Sequence, residues 1–233
     1  MGQKTLITAH SGCEGTPENS LSSVEKGIAL GADCVEVDVR LDAAGRLVLT
    51  HDTPADYSGL AALEDAFALI RESGIAVNCD LKEREALLPA LALAEQCGIG
   101  PERLIFSGSV DPALLLRDDL RITRRSRIFL NAEVLAQAML PGSETDRAAQ
   151  TALFLERTRA VAGRFHALGA EALNAPYMYV PPRLAAALRE MGVPLSLWTI
   201  NDEDALRRFV RWDLLNITTR SVAAALAARG AVG

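Results

Sequence analysis

Nine short β-rich runs recur along the chain, at residues 5–10, 34–40, 46–51, 75–81, 104–108, 127–132, 171–175, 194–200 and 214–218, and helical patterning fills all but one of the intervals. The exception decides the topology. Only residues 41–45 separate the second run from the third, too few for the crossover that parallel neighbours need, so these two must form an antiparallel hairpin turning near Ala44. Setting the returning strand aside leaves eight that can all be parallel, each followed by a helical segment. Eight such units in 233 residues predict an α/β fold, a (β/α)8 TIM barrel with a β-hairpin extension after strand 2, as one domain over 1–233. The helix boundaries agree. Asn19 or Ser20 can cap a helix reaching about Leu30, Pro181-Pro182 opens one that stops near Gly192, and Asn201-Asp-Glu-Asp supplies capping and acidic residues after Ile200.

Composition narrows the partners. Hydrophobic residues at 49% and charged residues at 23% suit an ordinary globular core, and a formal net charge of -6 speaks against nucleic acid. The arginines that cluster, Arg121, Arg124, Arg125 and Arg127, have no aromatic residues among them and read as a solvated loop. Cys13, Cys34, Cys79 and Cys97 show no CxxC spacing, so neither a disulfide framework nor a zinc site is expected. The opening Met1-Gly-Gln-Lys-Thr-Leu lacks a signal-peptide pattern, and Leu6 breaks the myristoylation pattern. A cytoplasmic protein without stable membrane insertion is the expectation, with a homo-oligomer left open.

The chemistry gathers where strands should end. In Cys34-Val-Glu-Val-Asp-Val strict alternation puts Glu36 and Asp38 on one face and the valines on the other, against the helices. Two carboxylates on one face of a barrel strand repel each other unless a cation lies between them, which suggests a hard-metal site. The hairpin returns Thr50-His51-Asp52 alongside them. In Val77-Asn-Cys-Asp-Leu-Lys the same alternation pairs Asp80 with Lys82, and His10 ends the first strand. Each feature alone has an ordinary structural explanation: an exposed histidine, or a salt bridge. Their convergence on the C-terminal end of one barrel is what points to an active site. His166, on a long helix, carries no such signal.

Together these residues resemble the glycerophosphodiester phosphodiesterase family. Its His-Arg-Gly, Pro-Glu-Asn, Glu-x-Asp and His-Asp motifs are matched by His10-Ser11-Gly12, Pro17-Glu18-Asn19, Glu36-Val37-Asp38 and His51-Asp52. Asp80-Leu81-Lys82 looks like its Glu-x-Lys, and Leu197-Trp198-Thr199-Ile200-Asn201 like its Val-Trp-Thr-Val-Asn. The resemblance implies metal-dependent hydrolysis of a small-molecule phosphodiester, a glycerophosphodiester giving glycerol 3-phosphate and an alcohol. It implies Mg2+ or Ca2+ on Glu36, Asp38 and Asp80, His10 and His51 as acid and base, and Lys82 offsetting phosphoryl charge. Ser11, Glu18, Trp198 and Asn201 would contribute to the substrate pocket. For Glu18, support of a histidine and stabilisation of a helix N-terminus both remain open, as does a plain core role for Trp198.

Four departures stand out. Ser11 occupies the place of an arginine, and a hydroxyl cannot supply a charged, bidentate fork. Asp80 is one methylene shorter than the usual glutamate. Only Asp52–Leu60 stand where the family inserts a covering subdomain, an unusually short insertion. At the last strand Thr219 and Arg220 replace Ile-Thr-Asp chemistry, and a surface role is expected for Arg220. Two other readings follow from these departures: a barrel that binds a phosphate ligand without turnover, and a relative with lysophospholipase D-like activity.

Overall fold

The computed structural model describes residues 4–139 and 146–232. In chain order the elements are β1 (Leu6–Ala9), α1 (Leu21–Ala29), β2 (Cys34–Leu41), β3 (Leu47–Leu49), α2 (Leu63–Ser73), β4 (Ala76–Leu81), α3 (Leu87–Gln96), β5 (Leu104–Gly108), α4 (Pro112–Leu115) and α5 (Ile122–Arg125). They continue with β6 (Arg127–Asn131), α6 (Ala132–Met139), α7 (Arg147–Glu156), α8 (Thr158–Ala167), β7 (Ala172–Pro176), α9 (Pro182–Glu190), β8 (Leu195–Trp198), α10 (Glu203–Phe209), β9 (Asn216–Thr219) and α11 (Val222–Gly230). Single 3-10 turns lie at Cys13–Gly15, Arg84–Ala86 and Tyr177–Tyr179.

Eight parallel strands close a ring in the order β1-β9-β8-β7-β6-β5-β4-β2, sealed by β1 against β2. The fold is the (β/α)8 barrel that the strand spacing implied. β2 is long enough to serve two partners on one side: its start pairs with β1, and its end pairs antiparallel with β3, Val39 opposite Leu49 and Leu41 opposite Leu47. The hairpin turn is fixed by Asp42, whose carboxylate accepts from the amides of Ala44 and Arg46, both at 2.8 Å. β3 is shorter than the run 46–51 suggested, so His51 lies beyond the ladder, tethered by Thr50 N donating to Asp38 O at 3.1 Å.

Alternation places Val35, Val37 and Val39 in the main core with the helices, as expected. The inner face has two layers. Cys34, Ala76, Ile105, Phe129, Ala172 and Leu215 form an apolar floor, and two residues further along most of these strands the side chains turn polar. There Thr8 donates to Asn216 at 2.6 Å, Asn216 to Ser196 at 3.0 Å, Ser196 to Asn174 at 2.8 Å and Asn174 to Asn131 at 2.8 Å. These five buried side chains are tolerated because each finds a neighbour around the ring, whereas Asn78 Oδ1 on β4 has none.

Ser20 caps α1 by accepting from Ser23 N at 3.1 Å, leaving Asn19 for another task. The arginine cluster is not a solvated loop: Arg124 and Arg125 lie in α5, Arg125 pairs with Glu95 at 2.7 Å, and Arg127 with Glu171 at 2.6 Å. The four cysteines are free, as the spacing suggested. Among the described residues no helix is long and apolar enough to cross a membrane.

α1 approaches the sheet closely because Gly27 has no side chain; a Cβ there would come within 2.7 Å of Val35 Cγ1 and 2.9 Å of Ala9 Cβ. Gly27→Ala should therefore lower stability by about 1 kcal/mol, the overpacking cost outweighing the gain in helix propensity. Urea denaturation checks this, and Gly27→Ala/Val35→Ala should not show the same overlap penalty.

Candidate active site

The C-terminal ends of β1, β2, β4 and β5 meet at one corner of a cavity of about 430 Å³ in the barrel mouth. Register explains the meeting: Glu36 sits opposite Asn78 and Asp38 opposite Asp80 on the β2–β4 pair, and Asp80 opposite Ser107 on β4–β5. Equal depth on adjacent strands brings Asp38 and Asp80 together, and the longer side chain of Glu36, one inward position deeper on β2, joins them, with one oxygen of each within 4.8 Å of the others. The shorter arm of Asp80 still reaches the group. Gly108 makes room for it, since a Cβ at that position would lie 2.8 Å from Asp80 Oδ1.

Each carboxylate is held by specific donors. Ser11 N donates to Glu36 Oε2 at 3.0 Å, Asn19 Nδ2 to Asp38 Oδ2 at 2.8 Å, and Ser107 Oγ to Asp80 Oδ1 at 2.7 Å. Lys82 bridges the pair, its Nζ 2.6 Å from Asp38 and 2.5 Å from Asp80. Burial, reinforced by the charges of Asp38 and Asp80, pushes Glu36 well above the usual carboxylate range. Burial acts on Asp38 in the same direction, but Lys82 and Asn19 overcome it and hold Asp38 low. Lys82 is displaced upward in turn: desolvation opposes its charge, and the two aspartates outweigh desolvation.

Three facing carboxylates against one lysine leave uncompensated negative charge in a buried corner. Their all-oxygen character and mutual reach fit a hard divalent cation.

The histidines stand beside this corner in different settings. His10 is largely buried, with Nδ1 2.8 Å from Ser11 O, a carbonyl that can only accept. Arg220 Nε also approaches Nδ1, at 3.3 Å, but the shorter contact is to an oxygen with no proton to give, so Nδ1 carries the proton and Nε2 keeps its lone pair. Burial, partly offset by that hydrogen bond, holds His10 below the ordinary imidazole value. His51 is 61% exposed, with Nδ1 2.8 Å from Asp52 Oδ1. Both line the cavity, as do Glu36, Asp38, Asp80, Lys82 and Trp198.

Three residues assigned to the pocket from sequence lie elsewhere. Ser11 is buried, its hydroxyl accepting from Asn19 N at 2.5 Å, so it braces the loop rather than facing the cavity. Glu18 pairs with Arg220 at 2.5 Å. Asn201 Oδ1 accepts from Arg220 N at 2.8 Å. Arg220, expected on the surface, is half-exposed and also donates to Ser11 O at 3.0 Å, which ties the end of β9 to the loop behind His10. Conversely, Arg84, Glu133, Gln137 and Arg147 line the cavity and were not singled out. They come from helices and loops, where strand alternation gives no signal; in Glu133 and Gln137 an i, i+4 polar pair on an otherwise apolar helix was the available hint.

Residues 10–83 match the model of the "Glycerophosphoryl diester phosphodiesterase family". Across nearly the full length the chain is similar to the glycerophosphodiester phosphodiesterase of Caldanaerobacter subterraneus subsp. tengcongensis, 23% identical over 248 residues, covering 93% of this chain and 94% of the relative. Among solved structures it resembles the glycerophosphodiester phosphodiesterase of Thermotoga maritima, with a TM-score of 0.70, 20% identity and coverage of 97% and 98%. It also resembles an Oleispira antarctica phosphodiesterase solved with the product sn-glycerol-3-phosphate, with a TM-score of 0.72, 19% identity and coverage of 96% of both chains.

The raised Glu36 sets a pH dependence. A carboxyl whose folded value exceeds its unfolded one stabilises the fold below the unfolded value, and that contribution is lost as pH rises through the folded one. In chelator, Glu36→Gln should therefore be more stable than the parent at pH 8, with the gap narrowing towards pH 4. Magnesium or calcium should raise the parent's melting temperature and have less effect on the variant. Scanning calorimetry over that range measures both.

Proposed function

Because the chain is related to the glycerophosphodiester phosphodiesterases, carrying that family's signature over residues 10–83, we propose that it hydrolyses a glycerophosphodiester to glycerol 3-phosphate and an alcohol, with a divalent metal and two histidines. The observation that carries this reading is the convergence of His10, His51, Lys82 and the three-carboxylate group on one cavity. The product bound in the Oleispira phosphodiesterase supports the choice of substrate class.

Glu36, Asp38 and Asp80 would hold Mg2+ or Ca2+, which when bound supplies Lewis-acid charge to the phosphoryl oxygens. His10 is the base. Its Nδ1–H is fixed on Ser11 O, burial keeps the ring neutral, and Nε2 takes the proton of the attacking hydroxyl, whether the glycerol's own neighbouring group or water. His51 is the acid, its Nδ1 oriented by Asp52 so that Nε2 delivers a proton to the departing alkoxide. Lys82 holds Asp38 in its charged form, orders Asp38 and Asp80, and adds a positive charge beside the phosphoryl group. Ser11 contributes its amide to Glu36 and no charge to the phosphate, so the cation at this corner is Lys82.

Release of glycerol 3-phosphate from a panel of glycerophosphodiesters tests the reading. His10→Ala and His51→Ala should each reduce kcat by roughly 10²–10⁴, the usual share of a positioned acid or base, and chelator should abolish turnover until magnesium or calcium is restored. Full activity in chelator, or in His51→Ala, would exclude this mechanism. Tight phosphate-ligand binding without turnover of any diester would instead favour a binding barrel.

A further inference from the structure

We propose that Arg147 makes the cavity selective for phosphodiesters whose leaving alcohol carries an acidic group, and against those whose alcohol carries a quaternary ammonium. The inference deepens the phosphodiesterase reading and rests on it. Arg147 is the first residue of α7 and lines the same cavity as the histidines. Its guanidinium lies over the Trp198 ring, Cζ 5.4 Å from the centroid, and 5.9 Å from the centroid of Tyr179. A cation–π contact consumes no hydrogen-bond acceptor, so the N–H donors of the guanidinium can still bond a ligand. Among the described residues no carboxylate pairs with Arg147, whereas Arg125, Arg127 and Arg220 are all paired.

Position gives that spare cation a role. In the ring order, three strands separate β8 from β4 in either direction, so Trp198 and the arginine stacked on it face Asp80 and Lys82 from across the mouth. A phosphodiester whose phosphate sits at the Lys82 corner projects its alcohol towards the opposite wall. There an acidic substituent meets an arginine that no described carboxylate engages. An ammonium drawn to the indole meets a fixed positive charge instead. Glu133, also on the cavity wall, spends Oε1 on Asn131 Nδ2 at 3.1 Å while its Oε2 is buried without a partner. It offers an acceptor to a hydroxyl or amine on the same alcohol. The simplest alcohol with both features is a hydroxy amino acid such as serine.

The test compares glycerophosphoserine with glycerophosphocholine for the full chain, Arg147→Gln and Arg147→Glu, with melting temperatures to verify folding. The parent should favour the serine ester at least about tenfold in kcat/KM. Arg147→Gln should bring the two within about threefold, by raising KM for the serine ester with little change in kcat, and Arg147→Glu should invert the order. Calorimetric binding of phosphoserine against phosphocholine reads the same preference without turnover. A parent that does not discriminate, or variants that keep its ratio, overturns the proposal. If the parent cleaves neither ester, the hydrolase reading falls, and the binding ratio and its dependence on Arg147 still decide the present one.

Discussion

Three carboxylates buried against a single lysine are an unfavourable arrangement that the barrel has to enforce. Left free, Glu36, Asp38 and Asp80 would separate into water; the parallel register of β2 with β4 fixes Asp38 and Asp80 at one depth, Glu36 reaches them from one inward position deeper on β2, and the amide of Ser11 and the side chains of Asn19 and Ser107 hold their oxygens in place. Much of the local architecture serves that enforcement. Asn19 takes a left-handed backbone conformation so that its amide can bond both the Asp38 carboxylate and the Asp38 N–H, and Ser20 therefore becomes the helix cap. The glycine at the end of β5 admits Asp80 where any side chain would collide. Such a corner is tense while it carries only its lysine, which is why it suits a hard cation.

The barrel and the carboxylate corner were legible in the sequence because they are written in periods. Period-two alternation in β2 and β4 named the inward residues, and the short gap before β3 separated the hairpin from the ring. What alternation cannot reach is the direction of side chains on loops. Ser11, Glu18 and Asn201 sit in motifs that suggest a pocket, yet each is consumed by a local bond: to the Asn19 amide, to Arg220, and to the Arg220 backbone. Arg147 and Glu133 show the converse. They belong to helices whose rotation about the barrel depends on tertiary packing, so nothing in their immediate sequence announces that they face the mouth.

Arg220 illustrates how a departure from a family pattern is absorbed. With serine in place of arginine after His10, the segment behind the histidine loses a positive charge, and the last strand returns one at a neighbouring point, on Glu18 and the Ser11 carbonyl rather than in the cavity. The charge is retained for holding the loop and lost for binding substrate. The cations that do face the cavity are Lys82 and Arg84, from the connection between β4 and α3, and Arg147, from the start of α7.

The two histidines differ in what carries them. His10 follows a ring strand that is hydrogen-bonded on both sides and cannot shift without opening the barrel. His51 follows a three-residue strand outside the ring, held towards β2 by the backbone hydrogen bond from Thr50 to Asp38 and by Arg40 Nε donating to the His51 carbonyl at 3.0 Å. The proposed proton transfer would join a residue carried by the ring to one carried outside it. Loosening the hairpin alone would carry His51 away while leaving the ring closed and the carboxylate corner intact, so under the proposed mechanism the completeness of the site and the stability of the fold would depend on separate parts of the molecule.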